Sequence, residues 1–389
     1  MEFGFSQRSS FGPNIFNQLN DRKEERLAAG LPVWNLSIGT PDFAPDRHVM
    51  EAVAAAALLP ENYKYSLTEL PRLVKAVQDW YLRRFGVELA ADEITSVYGS
   101  QEGIAHIAMA LCDPGEIILA PSPCYPIFSV GPALCGARVE YYNLDPNNNW
   151  LPDLEGIDPA IAEAAKAIVV SFPSNPTCAV LPDCFYEQLI DFAKRYNILV
   201  IHDNAYSEIY FDGNKPGSFL AFPGARAVGV EFNSLSKTYN LTGARLSFLL
   251  GNREIVGRFK AVRSQIDYGS FLPTQYAAIA ALEGPQDSVA AHREEYQRRR
   301  DALCGGLAQI GWEGVTSHAT MFAWAPLPGG WSDSAAFCAA LIEKAGVICT
   351  PGAAFGPGGE GYVRFALVLP TGAIAEAIAA IRDCGILQA

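Results

Sequence analysis

The sequence predicts an α/β fold: a large domain built on a mainly parallel seven-stranded sheet flanked by helices, plus a smaller α+β domain. Three observations carry this. Short β-branched and aromatic runs alternate with helix-patterned stretches through the middle of the chain, the signature of a parallel sheet covered on both faces. After residue 275 the register changes to two helices followed by short strands and further helices. With 389 residues, half of them apolar and 18% charged, the chain can bury the cores of two or three domains.

The elements follow in order. Residues 49–59 are Ala-rich but contain Glu51 and stop at Pro60, so they read as a helix in water rather than in lipid. Residues 94–98 form a strand, and 100–112 a helix that Asp113-Pro114-Gly115 terminates. Strands follow at 117–120 and at 139–143, the latter before the polar loop Asp145-Pro146-Asn147-Asn148-Asn149. Apolar runs at 167–172, 198–202, 227–232 and 246–250 complete the seven, with a helix at 184–196. Beyond them come helices at 273–283 and 288–307, strands near 321–325 and 362–367, and helices at 333–344 and 373–383. The expected division is an N-terminal segment, 1–45, joining the small domain, a large domain at 46–275 and a small C-terminal domain at 276–389.

Composition excludes several functions. With 29 Lys+Arg against 42 Asp+Glu the formal charge is −13, which opposes sequence-independent binding to nucleic-acid phosphates. The one dense basic run, Arg298-Arg299-Arg300, follows Glu294-Glu295 and reads as a solvated helix face. No stretch approaches the roughly 18 unbroken apolar residues of a membrane helix. Met1-Glu2-Phe3 opens no basic region ahead of an apolar one, so no secretory leader is expected. Nine scattered cysteines lack any C-x-x-C spacing, and five histidines form no ligand-like pair. Both facts fit a metal-free protein of the reducing cytoplasm.

In an open parallel sheet, ligands bind just past the carboxyl ends of the strands. After 94–98 come Gly99-Ser100-Gln101-Glu102-Gly103, opening a helix whose free N–H groups suit a phosphate. After 117–120, Pro121-Ser122-Pro123-Cys124-Tyr125-Pro126 fix a tyrosine in a rigid turn. After 167–172 stand Pro173-Ser174-Asn175-Pro176-Thr177, and after 198–202 stand Asp203-Asn204-Ala205-Tyr206. After 227–232 come Asn233-Ser234-Leu235-Ser236-Lys237, with Arg245 eight residues on. Taken singly, each has a bland explanation as a cap, a turn or a solvated charge. At consecutive strand ends they have one economical reading, a pyridoxal 5′-phosphate site. The lysine would form a Schiff base with the aldehyde, for which its amine must be neutral. The aspartate would keep the ring nitrogen protonated, so that the ring absorbs the electrons of a substrate carbanion. Asn and Tyr donors would hold the phenolic oxygen, an aromatic ring would stack on the cofactor's face, and Ser, Arg and a helix N-terminus would neutralise the phosphate.

At these residues the chain resembles the class I/II pyridoxal-phosphate aminotransferases of fold type I, whose members include aspartate, alanine, aromatic and LL-diaminopimelate aminotransferases. The most specific match is Asn233-Ser-Leu-Ser-Lys-Thr-Tyr-Asn-Leu-Thr-Gly-Ala-Arg245, similar to the family's lysine signature. The resemblance implies that Lys237 is the Schiff-base lysine and that Ser100, Gln101, Ser234, Ser236 and Arg245 serve the phosphate. It implies ring stacking by Tyr125, contacts of Asn175 and Tyr206 to the phenolic oxygen, and pairing of Asp203 with the ring nitrogen. Asn35-Leu-Ser-Ile-Gly39-Thr-Pro-Asp42 resembles the motif whose glycine lies against the substrate carboxylate, and Gly361-Tyr-Val-Arg364-Phe-Ala the motif whose arginine clamps it. Tyr65, with Tyr63 as the fallback, resembles the tyrosine that crosses to the partner's phosphate, so a homodimer is implied. Cys178, Ala244, Ser247 and Glu69 depart from the family pattern without removing a catalytic group.

The function so implied is an aminotransferase that moves an amino group between an L-amino acid and a 2-oxo acid by a ping-pong mechanism. A carbon–sulfur β-lyase would use nearly the same cofactor shell, because the outcome depends on which Cα bond stands perpendicular to the ring. A non-catalytic sensor of this fold is the third reading. Arg263 is available as a second cation for a side-chain carboxylate, but nothing in the sequence places it in the pocket.

Overall fold

The computed structural model describes residues 3–6, 8 and 15–388; Met1 and Glu2, on which the reading of the N-terminus rests, lie outside them. The strands are β1 (Trp34–Asn35), β2 (Ile94–Val97), β3 (Ile117–Ser122), β4 (Arg138–Asp145), β5 (Leu151–Pro152), β6 (Ala165–Ser171), β7 (Leu199–Asn204), β8 (Gly229–Ser234), β9 (Ser247–Gly251), β10 (Phe322–Pro326), β11 (Val347–Ile348), β12 (Thr350–Pro351) and β13 (Tyr362–Ala366).

The large sheet has eight strands in the order β2-β9-β8-β7-β6-β3-β4-β5. Its centre, from β8 to β4, is parallel, while β2 and β9 on one side and β5 on the other run antiparallel to their neighbours. The eighth strand corrects the expected seven. It is β5, two residues that fold back on β4 after the polar loop, too short to show any periodicity in sequence. Strands β3 and β8 are buried at every residue, and β6 and β7 at all but one. Both faces are therefore covered, which is why these runs read as continuously apolar. Alternate residues feed opposite faces: Ile168 and Val170 enter one core cluster, Ala167 and Val169 the other.

A second, three-stranded antiparallel sheet has the order β10-β13-β12. The N-terminal segment is attached beside it. Strand β1 pairs in parallel with β11, and Leu36 continues the contact through Leu36 N–H to Ile348 O at 2.8 Å and Ala366 N–H to Leu36 O at 2.6 Å. Helix Leu272–Glu283 packs on helices Arg47–Ala57 and Pro71–Phe85 and runs through residue 275.

The basic run at 298–300 is not a solvated face throughout. Arg299 is 4% exposed and forks onto Asp42 at 2.7 and 2.9 Å, with Nε on Glu295 at 3.0 Å. Arg300 binds Asp212 with both terminal nitrogens at 2.9 Å. Adjacent helical positions point about 100° apart, so neighbours of like charge reach different surroundings. Periodicity could not reveal an acidic partner 257 residues away.

Beneath the sheet, β8 carries a fully buried carboxylate. Glu231 accepts hydrogen bonds from the Tyr81 hydroxyl (2.8 Å), the Ser218 hydroxyl (2.8 Å), Phe219 N–H (3.0 Å) and His202 Nδ1 (2.9 Å). Its substitution strands several buried polar groups at once. Glu231→Ala is expected to lower the unfolding free energy by about 3 kcal/mol or more, seen as a lower urea midpoint. An unchanged midpoint would show that the network contributes nothing to stability.

Candidate active site

The carboxyl ends of the parallel strands open on a cleft of about 630 Å³, closed from the other side by residues 38–40 and by Phe322 and Arg364 of the smaller sheet. Of the site residues expected from sequence, Gly39, Ser100, Gln101, Tyr125, Asn175, Asp203, Tyr206, Ser234, Ser236, Lys237, Arg245 and Arg364 all line it. Tyr65 does not: its side chain is 79% exposed and packs on Tyr268 with 5.2 Å between ring centroids. Tyr63 is also outside the cleft, donating to Ala57 O at 2.8 Å.

Lys237 sits on the single helical turn Leu235–Thr238 that follows β8, where the Ser234 hydroxyl caps Ser236 N–H at 3.2 Å. The turn directs Nζ into the cleft, where it donates to Gly39 O at 2.6 Å. Burial, and then the neighbouring charges of Arg364 and Arg245, push the amine down to about 8, since each disfavours a further cation there. Gly39 has no room for a side chain: a Cβ would lie 2.6 Å from Phe322 Cζ.

Asp203, near the end of β7, is 8% exposed, and its Oδ1 is buried without a partner. Burial first, and Glu231 second, raise its carboxyl to about 7, with the Ser171 hydroxyl offsetting part of the effect. An acid buried this way and left unpaired calls for a cationic partner. Tyr206 lies edge-on to Phe322 at 5.9 Å, and burial raises its hydroxyl pKa.

Arg364 is 2% exposed. Its Nη1 donates to Asn175 Oδ1 at 2.8 Å and its Nη2 to Ser37 O at 3.0 Å, while the Nε–H is buried without an acceptor. The guanidinium lies between the rings of Phe322 and Phe355, 4.1 and 4.7 Å from their centroids. Burial pulls its pKa down to about 10, so it remains a cation near neutrality. No carboxylate is paired with it.

At the other end of the cleft, helix Ser100–Leu111 begins after Gly99, whose φ of 86° leaves a side chain strained. A Cβ there would also meet Arg245 Nη2 at 2.2 Å. The Ser100 hydroxyl is buried without a partner, and Tyr125 donates to Gln101 Oε1 at 2.9 Å. Sequence reasoning missed the residue joining the two turns. Ser247, on β9, accepts from Ser100 N–H at 3.1 Å and donates to the Ser234 hydroxyl at 3.0 Å. It had read only as a departure from a family glycine. Ser171 and Phe322 were missed too. Ser171 ends a strand and was counted inside it, and Phe322 comes from a sheet whose facing no periodicity announced. Arg263 is not in this cleft: it is held by Asp267 at 2.8 and 3.2 Å and lines a separate cavity with Glu69. Among the described residues no group of His, Cys, Asp and Glu could hold a metal ion, and no helix is long and apolar enough to cross a membrane.

Comparison with known proteins agrees with this geometry. The family model for aminotransferase class I and II matches residues 32–381. The LL-diaminopimelate aminotransferase of Desulforudis audaxviator is 44% identical over 374 residues, 96% of this chain and 95% of the relative. That of Aquifex aeolicus is 41% identical, covering 98% and 99%. Substrate-bound BacF from Bacillus subtilis superposes with a TM-score of 0.94 at 32% identity, covering 98% of both chains. Alanine aminotransferase from Pyrococcus furiosus does so with a TM-score of 0.90 at 27% identity, covering 98% and 99%. The protein belongs to the class I and II aminotransferases, and its fold is the one those enzymes share.

Proposed function

We propose that this aminotransferase works with pyridoxal 5′-phosphate held on Lys237, and that it exchanges the amino group between LL-diaminopimelate and a 2-oxo acid. The observation that carries the cofactor is the presence in one cleft of a lysine amine lowered to about 8 and a buried aspartate whose Oδ1 has no partner. The donor set fits the group. Ser100, Gln101, Ser234, Ser236, Arg245 and the helix N-terminus at Ser100 offer hydroxyls, N–H groups and a cation to a phosphate. Asp203 offers a carboxylate to a ring N–H, Tyr125 offers an aromatic face, and Asn175 and Tyr206 offer polar atoms to a ring oxygen. When bound, pyridoxal phosphate supplies an aldehyde that condenses with amines and a ring that withdraws electrons from the substrate Cα.

In this reading Lys237 has two tasks. Its neutral amine would hold the cofactor's aldehyde, and its Nζ, when free, would accept the proton from the substrate Cα and donate it back as general base and acid. Asp203 keeps positive charge on the ring nitrogen, where it matters most as the Cα proton departs. Arg364 binds the carboxylate that the amino acid and the oxo acid have in common, and Gly39, without a side chain, lets the segment at 38–40 close over it. Tyr65, remote from its own cleft and exposed beside Tyr63, Leu67, Tyr268 and Phe271, serves the second subunit of a homodimer. The division at 46–275 and 276–389, with 1–45 on the smaller part, places cofactor groups on one body and the carboxylate clamp on the other. Nine unbridged cysteines are in keeping with a cytoplasmic protein.

The substrate rests on the relatives, which carry the same name at 41 and 44% identity over nearly their full lengths. LL-diaminopimelate, alanine, aspartate and phenylalanine, each assayed with 2-oxoglutarate, test it. The expected result is the highest kcat/KM with LL-diaminopimelate and one oxo acid made per oxo acid consumed. A faster reaction with any of the other three would overturn the substrate. Ammonia release without oxo-acid exchange would overturn transamination itself.

Cofactor uptake should follow the amine of Lys237. With a pKa of about 8, about 1% of the amine is neutral two units lower. Loading of cofactor-free protein, followed by absorbance, is expected to accelerate as pH rises from 6 and to level off above 8. Borohydride should then fix a pyridoxyl group on Lys237; a label on any other lysine would refute the assignment.

Arg364→Lys is expected to keep the cofactor but to raise KM for both amino acid and oxo acid, because one point charge replaces a planar fork. The loss in kcat/KM should exceed roughly tenfold. Unchanged KM for both would place the carboxylate elsewhere.

A further inference from the structure

A second set of cations lies outside the cleft. Between helices Pro71–Phe85 and Asp287–Gln309 and the loop at 208–215 is a cavity of about 280 Å³, with the buried Trp80 and Val289 among its walls. The charged groups lining it are Arg83, Arg84, Lys215 and Arg293 on one side of the balance and Glu208 on the other. Glu208 is already committed, since Arg84 Nε donates to it at 2.5 Å. Among the described residues, the other three cations form no ion pair with an acid. Arg83 donates to Leu282 O at 2.8 Å, Arg293 lies 4.4 Å over the Tyr210 ring, and the amine of Lys215 is held below its ordinary range by burial and then by Arg84 and Arg293, with Glu208 offsetting part of the effect.

The rest of the molecule makes this exceptional. Acidic residues outnumber basic ones by 42 to 29, so most arginines find an ion pair. Beyond residue 30, among the described residues, four arginines do not: Arg83, Arg245, Arg293 and Arg364. Arg245 and Arg364 line the active-site cleft, where anionic groups of ligand are to be bound. Arg83 and Arg293 both line this second cavity. Cations of one sign gathered in a concave site raise the local concentration of anions, and guanidinium groups present paired N–H donors to oxyanions.

We infer that the cavity formed by Arg83, Lys215 and Arg293 is a binding site for a small oxyanion carrying two or more negative charges. Its volume is at the lower end for ligand sites and suits a diphosphate or a compact polycarboxylate rather than a cofactor. The two sources present the same chemistry of adjacent oxyanions.

Calorimetric titration tests this with inorganic pyrophosphate, at constant ionic strength, on protein saturated with pyridoxal phosphate so that the cleft's own phosphate site is covered. Saturable binding is expected, weakened about tenfold or more in Arg293→Gln, the loss of one charge-assisted bond. Lys215→Gln, which alters an exposed side chain with no ion pair, should weaken it in the same direction and decides the matter if the arginine variant does not fold. Neither residue lines the active-site cleft, so transamination without pyrophosphate should be unchanged. Citrate that binds with the same dependence assigns the site to polycarboxylates as well; citrate that does not bind restricts it to phosphoryl groups. No saturable binding by the unaltered protein, or equal affinity in both variants, would overturn the inference.

Discussion

The constraint on which the site depends is the holding of three basic side chains in one cleft, Arg364 buried, Lys237 half-buried and Arg245 exposed, with no ion pair to a carboxylate among the described residues. Arg364 rests on Asn175 Oδ1 and Ser37 O, Lys237 on Gly39 O, and Arg245 on Thr242 O and Tyr98 O. All of these acceptors are neutral. Like charges in a poorly solvated space repel appreciably, and Arg364 and Arg245 add that repulsion to the larger effect of burial in lowering the Lys237 amine. The nearest acid, Asp203, cannot relieve it, because burial and the charge of Glu231 oppose its own ionisation. Under the proposed assignment, the cleft receives a guest with negative charge at two ends and a proton on a ring between them. The fold tolerates this because Lys237 follows β8, Arg245 precedes β9 and Arg364 stands on β13, strands that are almost wholly buried, and a core packed at crystal-like density does not yield to local repulsion.

Most of the site was legible because a parallel sheet places its strand ends side by side. Five loops far apart in sequence converge for a reason of topology alone, and a residue type at each end carries its chemistry with it. What escaped was whatever depends on a contact rather than a position. Ser247 contributes one hydrogen bond to each of two turns, 147 residues away on one side and 13 on the other. Strand β5 is two residues long and held only by its neighbour. Arg299 is buried because Asp42 comes to meet it.

The departures from the family pattern divide the same way. Cys178 stands where glycine is usual, and its φ of 61° explains the usual choice. The cysteine is accommodated there with its Sγ near Phe322 O, at 3.2 Å, behind the ring that backs Arg364. Glu69 replaces another glycine, yet its Oε1 accepts from the Thr95 and Ser96 hydroxyls and from Ser96 N–H. A half-buried carboxylate with three donors is a structural fixture of the β2 strand, and the charge it adds lies outside the cleft.

The charge balance of the cleft also bears on the substrate. A donor with a monoanionic side chain needs a cation of its own beyond the one that binds its α-carboxylate. Here Lys237, Arg245 and Arg364 are each committed under the proposed assignment, and Arg263, the candidate for a spare cation, is neutralised by Asp267 in a different cavity. No further Lys or Arg lines the cleft among the described residues. A distal group that is itself zwitterionic, an ammonium beside a carboxylate, makes no such demand. It carries no net charge into a site that has none to give, and hydrogen bonds can hold it. Under the proposed assignment, the electrostatics within one chain therefore disfavour a donor such as aspartate, whose side chain brings a net negative charge, and admit a side chain of no net charge.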